Sequence, residues 1–455
     1  MNDTIVAISP PMAPAGLGVL RLSGSEAVAV ACRVVRPADP TRTPDKLPGY
    51  TAAYGHVFDG EGDIDECVAL VFRSPHSYTG EDVVELSCHG GLYLLQRTLR
   101  ACLEAGARPA GPGEFTRRAV VSGKMDLTQA ESVMDLIGAD GRLAARTALA
   151  ARRGGTYRRL EQVKQSLLAV AAQFAAYVDY PDEDIPDLQP AALAATVEEA
   201  RQTLSALLAT FDAGRVLREG VNTAIVGSPN VGKSTLMNAL AGCERSIVTD
   251  IAGTTRDVVE ETVRLGDVTL RLADTAGIRE TGDIVENVGV ERARQRRQEA
   301  ALVLAVFDGS RPLDEDDRRL AEEAAATTAI AVVNKADKPL CVDTAWLESR
   351  FDRVVTLSAR ERSGLEALTA AVAAVTGVER LDAAQPVLAT ERQRQCAGRC
   401  LACLEEAAGA LAAGMTLDAV TVSVSAAIDA ILDLTGQRAT EAVVEQVFAR
   451  FCVGK

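Results

Sequence analysis

One eight-residue segment restricts what this chain can fold into more than any other. Gly227-Ser-Pro-Asn-Val-Gly-Lys-Ser234 reads G-x-x-x-x-G-K-S, follows the β-type run 222–226 and leads into a helix-forming stretch from Thr235. In that strand–loop–helix setting the pattern is a phosphate cradle. Its glycines let the backbone wrap phosphate oxygens, and the helix start adds unpaired N–H groups and a positive dipole end. Lys233 is expected to reach the β- and γ-phosphates of a nucleotide and the Ser234 hydroxyl to ligate Mg²⁺. Asn230, Val231, Gly232 and Thr235 complete the cradle.

Further segments arrive in order at the ends of predicted strands. Asp274-Thr-Ala-Gly277 follows the run 269–272; Asp274 is expected to hold Mg²⁺ through water, and the Gly277 N–H to meet the γ-phosphate. Asn334-Lys335-Ala-Asp337 ends the run 329–333. The Asp337 carboxylate can accept both N1–H and N2–H₂ of guanine, a pair adenine lacks, so GTP is the expected nucleotide, with Lys335 beside the base. Ser358-Ala359 follows the run 353–357, and the Ala359 N–H is expected at the guanine carbonyl oxygen. Between the first two motifs, Thr249-Asp-Ile-Ala-Gly-Thr-Thr-Arg-Asp257 offers threonines for Mg²⁺. The position after D-x-x-G, where a water-orienting Gln is usual, is Ile278. Glu286, Arg256, Arg279 and a monovalent cation near Asn230 are the candidates for that task.

The chain has 455 residues, about three domain lengths. Residues 1–120 mix short β-type runs (4–8, 18–22, 67–72, 83–88) with a helical patch at 91–105 and read as an α+β domain. Residues 121–219 turn to Ala/Leu/Arg/Glu helices, and the helical character resumes over 379–455. Residues 220–378 alternate strands and helices, hence a mostly parallel sheet. The expected fold is a multidomain α/β, α and α+β chain: an α/β domain inserted into a helical domain, behind an α+β domain.

Composition narrows the function classes. Hydrophobic residues at 47% and charged residues at 24% exclude a disordered or fibrous chain. The start has no positive n-region, and no apolar run reaches the roughly 18 residues of a membrane span, so a soluble cytoplasmic protein with reduced cysteines is expected. Cys396, Cys400 and Cys403 have the C-x3-C-x2-C spacing of a cluster-binding loop, yet their Ala/Leu/Arg-rich context predicts a buried helix stripe instead. A net charge of −15 opposes a general nucleic-acid coat. Locally, Arg142, Arg146, Arg152, Arg153, Arg158, Arg159 and Lys164 stand against Glu161 alone, a phosphate footprint or a solvated helix face.

The chain resembles the tRNA-uridine-modifying GTPase family known as MnmE or TrmE. The likeness lies in Asp3-Thr-Ile-Val-Ala, residues 18–24 (GVLRLSG), 77–85 (SYTGEDVVE), 108–117 (RPAGPGEFTR) and 249–257 (TDIAGTTRD), and in the last five residues Phe-Cys-Val-Gly-Lys455. Coverage is end to end; Val453 and Ala273 are small departures. The resemblance implies a folate-binding and dimerising N-terminal domain, using Arg21, Glu85, Lys124 and Lys455 for a 5-formyl- or 5,10-methylene-type tetrahydrofolate. It further implies K⁺ held by Asn230, Thr249, Ile251 and Thr254, Mg²⁺ held by Ser234 and Thr255, and Glu286 as the water-orienting acid. Family members hydrolyse GTP on K⁺-dependent G-domain dimerisation. Through a homodimer, and a heterotetramer with an FAD-dependent partner of MnmG (GidA) type, they build an aminomethyl-type group at C5 of the wobble uridine of tRNA. Cys452 is a candidate in that chemistry. The alternative is a ribosome-assembly or regulatory GTPase switch, which has no use for the folate-type residues or the Cys-x-Gly-Lys terminus.

Overall fold

Alternation of apolar and polar residues builds the first sheet. The computed structural model describes residues 3–9, 13–179, 190–242, 261–272, 300–449 and 451–454. Its chain divides into two compact units, Met1–Met134 with Ile431–Lys455, and Asp135–Ala430.

In the first unit β1 (Ile5–Ile8), β2 (Ala15–Ser23), β3 (Val35–Pro37), β4 (Thr51–Asp59), β5 (Gly62–Phe72), β6 (Val83–Gly90) and β7 (Arg108–Pro109) form one sheet of order β3-β4-β5-β6-β2-β1-β7. The pairs are antiparallel except β1 with β7. Leu20 and Leu22 of β2 and Val84, Leu86 and Cys88 of β6 point to one face, where the helices Ala27–Val34 and Leu92–Glu104 cover them. The opposite face carries Tyr54, Val68 and Leu17, all exposed. A period of two sets these faces apart; near β1 the second face is closed too, where Ile5 and Ala7 pack with Ala110 and Phe115. The sequence reading finds β1, β2, β5, β6 and the helix Leu92–Glu104, but not β4 or the helix Ala27–Val34.

The C-terminal residues return to this unit rather than staying with the helical segments expected over 379–455. The helix Glu441–Phe448 packs on the helix Glu114–Val121, and Phe448 and Phe451 join Ala119, Met125, Leu127 and Ala130 in one core. Two glycines permit the approach. Gly113 (φ +62°) lies under Phe451, where a Cβ would come within 2.8 Å, and Gly436 (φ +83°) lies against Leu127 at 2.5 Å. Pro112 bridges to Val453 in antiparallel fashion.

The second unit holds the other sheet: β8 (Val221–Val226), β9 (Glu261–Leu265), β10 (Val268–Leu272), β11 (Leu302–Asp308), β12 (Ala329–Asn334) and β13 (Val354–Thr356), in the order β13-β12-β11-β8-β10-β9. Every pair is parallel except the β9–β10 hairpin. All residues of β11 and β12 are buried, which is why these strands read as unbroken apolar runs. The helix Pro190–Leu208 precedes this sheet in sequence and the helix Glu391–Ala412 follows it, yet the two pack against each other. Where the chain comes back, the Leu388 N–H donates to Thr210 Oγ1 at 3.0 Å. Gly214 approaches the Leu388 carbonyl so closely that a Cβ would sit 2.2 Å from it. The helix Glu391–Ala412 starts at a Thr390/Gln393 capping box and carries all three spaced cysteines, with Cys396 and Cys400 buried. Burial pushes the Cys400 thiol up to about 12. No helix among the described residues is long and apolar enough to cross a membrane.

One buried cation organises the first unit. Arg118, 2% exposed, donates from Nη1 to the Asp3 carbonyl (2.9 Å) and Glu81 (3.1 Å), and from Nη2 to the carboxylates of Asp3 (2.9 Å) and Glu114 (3.1 Å). Removing one partner of such a cluster strands the others in a poor solvent. Arg118→Ala is expected to destabilise this unit by about 3 kcal/mol or more, whereas Arg100→Ala, whose Glu104 pair is solvent-exposed, should leave stability nearly unchanged. Urea unfolding followed by circular dichroism measures both.

Candidate functional site

The phosphate loop leaves β8 and enters the helix Lys233–Ala241 through a left-handed turn at Gly232 (φ +98°). Asn230 is also left-handed, at φ +63°. At Gly227 a Cβ would lie 2.5 Å from the Val306 carbonyl, so the first glycine of the motif is required by strand packing as well as by loop curvature. Lys233 curls over the loop, its Nζ donating to the carbonyls of Gly227 (2.8 Å) and Ser228 (2.9 Å). Burial lowers its pKa, as expected of an ammonium withdrawn from water. Val231 is buried, while Asn230, Ser234 and Thr235 are exposed at the loop and first helical turn.

A single amide joins three loops here. Asn334, 2% exposed at the end of β12, donates from Nδ2 to the Val231 carbonyl of the phosphate loop at 2.9 Å. Its Oδ1 accepts the Ala359 N–H at 3.0 Å. Gly232 lies directly beneath: a Cβ there would come within 2.3 Å of Asn334 Nδ2. Lys335 follows in the left-handed region (φ +65°), its Nζ donating to the Asn230 carbonyl (2.7 Å) and to Asp308 Oδ2 (2.6 Å). Asp337 is exposed, with one carboxylate oxygen accepting the Ser358 hydroxyl at 2.7 Å, a bond that lowers its pKa. Asn230, Val231, Gly232, Lys233, Asn334, Lys335, Asp337, Ser358 and Ala359 thus come together as one connected group. Thr249, Ile251, Thr254, Thr255, Asp274, Gly277 and Glu286 lie outside the described residues, as do Arg256, Ile278 and Arg279.

Two supports of this site escape motif reading. Asp308 ends β11 and binds Lys335, while its other oxygen accepts the Ser310 N–H (2.9 Å) and hydroxyl (2.6 Å). Ser228 donates to the buried Asp317 at 2.6 Å, and Arg311 pairs with the same carboxylate at 2.8 Å. A carboxylate terminating a fully apolar run is the signal that would have singled out Asp308.

The N-terminal candidates form a second group. Arg21 and Glu85 face each other in the β2–β6 register, with Arg21 Nε and Nη2 at 2.8 and 2.7 Å from Glu85 Oε1. The Arg21 guanidinium lies 5.6 Å from the Tyr78 ring centre and 5.7 Å from that of Phe115. The Gly454 carbonyl, 3.5 Å from Arg21 Nη1, brings the C-terminal segment to the same place. Lys124 is held elsewhere, on the Pro75 carbonyl at 2.9 Å. Cys452 is exposed, and its carbonyl accepts the Gly113 N–H at 3.3 Å. Lys455 lies outside the described residues.

The Asp308–Lys335 pair has a pH signature. Burial alone would raise the Asp308 carboxyl, but the Lys335 and Ser310 hydrogen bonds outweigh it and hold the pKa at about 2, below the ordinary 3.8. A depressed folded-state pKa stabilises fully above the unfolded value and is lost as pH falls through the folded one. The stability difference between wild type and Asp308→Asn should therefore be constant above about pH 5 and shrink between about pH 4 and 2. Urea midpoints across that range read it.

Against known proteins, residues 4–124 match the family model described as GTP-binding protein TrmE N-terminus, and residues 127–452 match that of the MnmE helical domain. The chain is 39% identical over 460 residues to the tRNA modification GTPase MnmE of Levilactobacillus brevis, covering 100% of this chain and 98% of that one. It is 39% identical over 459 residues to the enzyme of that name from Geobacillus kaustophilus, covering 100% and 99%. The protein of the same name from Thermoanaerobacter pseudethanolicus is 36% identical over 460 residues, covering 100% and 99%. With both domain models and full-length relatives in agreement, this chain belongs to the MnmE (TrmE) family of tRNA modification GTPases.

Proposed function

We propose that this protein hydrolyses GTP in the course of modifying the wobble uridine of tRNA at C5, with a one-carbon unit drawn from a tetrahydrofolate. The observation that carries the GTP part is the Asn334 amide, which clamps the phosphate loop to the Ser358–Ala359 loop and leaves Asp337 facing outward between them. Lys233 neutralises charge on the β- and γ-phosphates, and the helix start adds N–H donors. The exposed Ser234 hydroxyl, with Thr255 and Asp274, is a hard oxygen set that suits Mg²⁺, which would neutralise charge on the phosphate oxygens. Asn230, exposed on a left-handed turn, is the side chain that would hold K⁺ together with Thr249, Ile251 and Thr254. Glu286 is assigned to orienting water, the task Ile278 cannot perform.

For the folate, the Arg21–Glu85 pair offers a polar floor beside two aromatic rings, with the Gly454 carbonyl above it. That combination suits a flat ring with hydrogen-bonding edges. Lys124 and Lys455 are the charges this reading adds for the rest of the molecule, and Cys452 is the thiol nearest in sequence to the pocket. Tyr54, Val68 and Leu17, exposed on the uncovered sheet face, support dimerisation through the N-terminal domain. The proposed division is a folate-binding domain at 1–120, a helical domain at 121–219 and 379–455 whose last stretch, from Ile431, packs with the first domain, and a G domain at 220–378, working in the cytoplasm with an FAD-dependent partner.

Asp337→Asn replaces an acceptor by a donor toward guanine N1–H. GTP affinity should fall by roughly two orders of magnitude or more, measured with a fluorescent guanine nucleotide. ATP competing as well as GTP against wild type would remove the base assignment. The overall reading is tested by mass spectrometry of wobble uridine in tRNA from a deletion strain. Loss of the C5 substituent, restored by the wild-type chain and not by Lys233→Ala, is expected. An unchanged modification profile would defeat it.

A further inference from the structure

The basic stretch 142–164 separates into two surfaces. Arg142, Arg146 and Leu149 of the helix Arg142–Arg152, and Arg153 just after it, are exposed. Their spacing i, i+4, i+7, i+11 places them on one helix face. Arg158, exposed in the first turn of the next helix, donates to the Arg153 carbonyl at 2.6 Å and extends the same patch. Lys164 belongs elsewhere: it is buried and paired with Glu161 at 2.7 Å, so the sequence-level count of seven cations overstates this surface. Arg159 turns to Thr203 Oγ1 at 3.1 Å. Among the described residues, Arg142, Arg146, Arg153 and Arg158 have no carboxylate partner.

Four guanidinium groups with no carboxylate partner form a local positive field on a chain of net charge −15, and such a field attracts a polyanion. Guanidinium matches phosphate geometry better than ammonium does. From Arg142 to Arg153 the helix axis runs about 16 Å, and a nucleic-acid strand offers a phosphate about every 3.4 Å of axis. The surface is also fixed in place. Asp267 Oδ1 accepts the Leu143 N–H at 3.1 Å, and Arg264 donates to the Asp140 carbonyl at 2.6 Å, both from the β9–β10 hairpin of the nucleotide-site sheet. We infer that the face formed by Arg142, Arg146, Arg153 and Arg158 docks the sugar–phosphate backbone of the substrate tRNA. The inference rests on the tRNA-modification reading above. These residues position the RNA without reading its bases.

The test uses the full-length protein and an unmodified tRNA transcript, with binding followed by fluorescence anisotropy from about 50 to 300 mM KCl. Arg142→Gln/Arg146→Gln/Arg153→Gln is compared with wild type and with a control triple, Arg319→Gln/Arg353→Gln/Arg380→Gln, also at exposed arginines. Each phosphate contact contributes about 0.7–0.9 to the slope of log K against log salt. The face variant should lose roughly 2–3 from that slope and at least about tenfold in affinity near 100 mM, with its melting curve retained and the control unchanged. Wild-type affinity and slope in the face variant would overturn the inference and leave this face to an acidic protein partner. An equal loss in both triples, which marks a charge effect without a site, would overturn it too. GTP hydrolysis and tRNA modification by the wild type, assayed alongside, report on the broader reading separately. A wild type that modifies tRNA while the face variant binds normally defeats the docking surface alone. A wild type that binds no tRNA defeats both.

Discussion

The nucleotide site depends on one buried side-chain amide. Asn334 uses its donor on the Val231 carbonyl and its acceptor on the Ala359 N–H, so loops more than a hundred residues apart in sequence share one group. Each bond contributes only about 1 kcal/mol net, but both lie in a region closed to water. Breaking either leaves a buried polar atom unsatisfied, which costs more than the bond itself is worth. Glycine at 232 is part of the same arrangement, because any Cβ there would occupy the place of the amide nitrogen. The neighbouring Lys335 repeats the device with charge, tying Asn230 to Asp308. The phosphate loop, the Asn334–Asp337 segment and the Ser358–Ala359 loop are therefore mechanically one unit.

Around that unit the chain is arranged by returns. It leaves a helical layer near Thr210, builds the parallel sheet, and comes back to the same place at Leu388. Insertion of this kind needs entry and exit points close together, which the Gly214 contact with the Leu388 carbonyl allows. A second return brings Phe451, Val453 and Gly454 onto the N-terminal sheet, so that a polar group from the end of the chain stands beside Arg21. The cluster-like spacing of three cysteines has a plainer outcome. One helix carries them, and burial keeps the Cys400 thiol protonated.

Legibility followed how local the physics is. The phosphate loop, the Asn334–Asp337 segment and Ser358–Ala359 were readable as one group because each is a short run of fixed residue types and spacing, and the structure brings them together. β11 and β12 were readable because strands buried on both faces must be apolar throughout. Asp317 and Arg311 were not, since a lone carboxylate or guanidinium has the same appearance in sequence whether it supports a loop or faces solvent; Asp308 was passed over although it ends an apolar run. β4 and the helix Ala27–Val34 were missed for a related reason: β4 turns the small residues Ala53 and Gly55 inward, which blurs its alternation, and the helix is only two turns long. The count of basic residues over 142–164 treated Lys164 as surface, whereas helix phase turns it inward onto Glu161.

By itself the sequence determined that a GTP-type phosphate loop exists, which residues bear it, and that a βα domain interrupts a helical one. These follow from short-range rules of loop geometry, helix periodicity and strand burial, each complete within some ten to twenty residues. Only the tertiary structure decided that Asn334 closes the site, that Asp308 holds Lys335, that the last residues belong with the first sheet, and which arginines of the basic stretch share one face. Those outcomes are contacts between groups distant along the chain. Their energies come from burial and from hydrogen bonds made after water has gone, and no local pattern encodes where that happens.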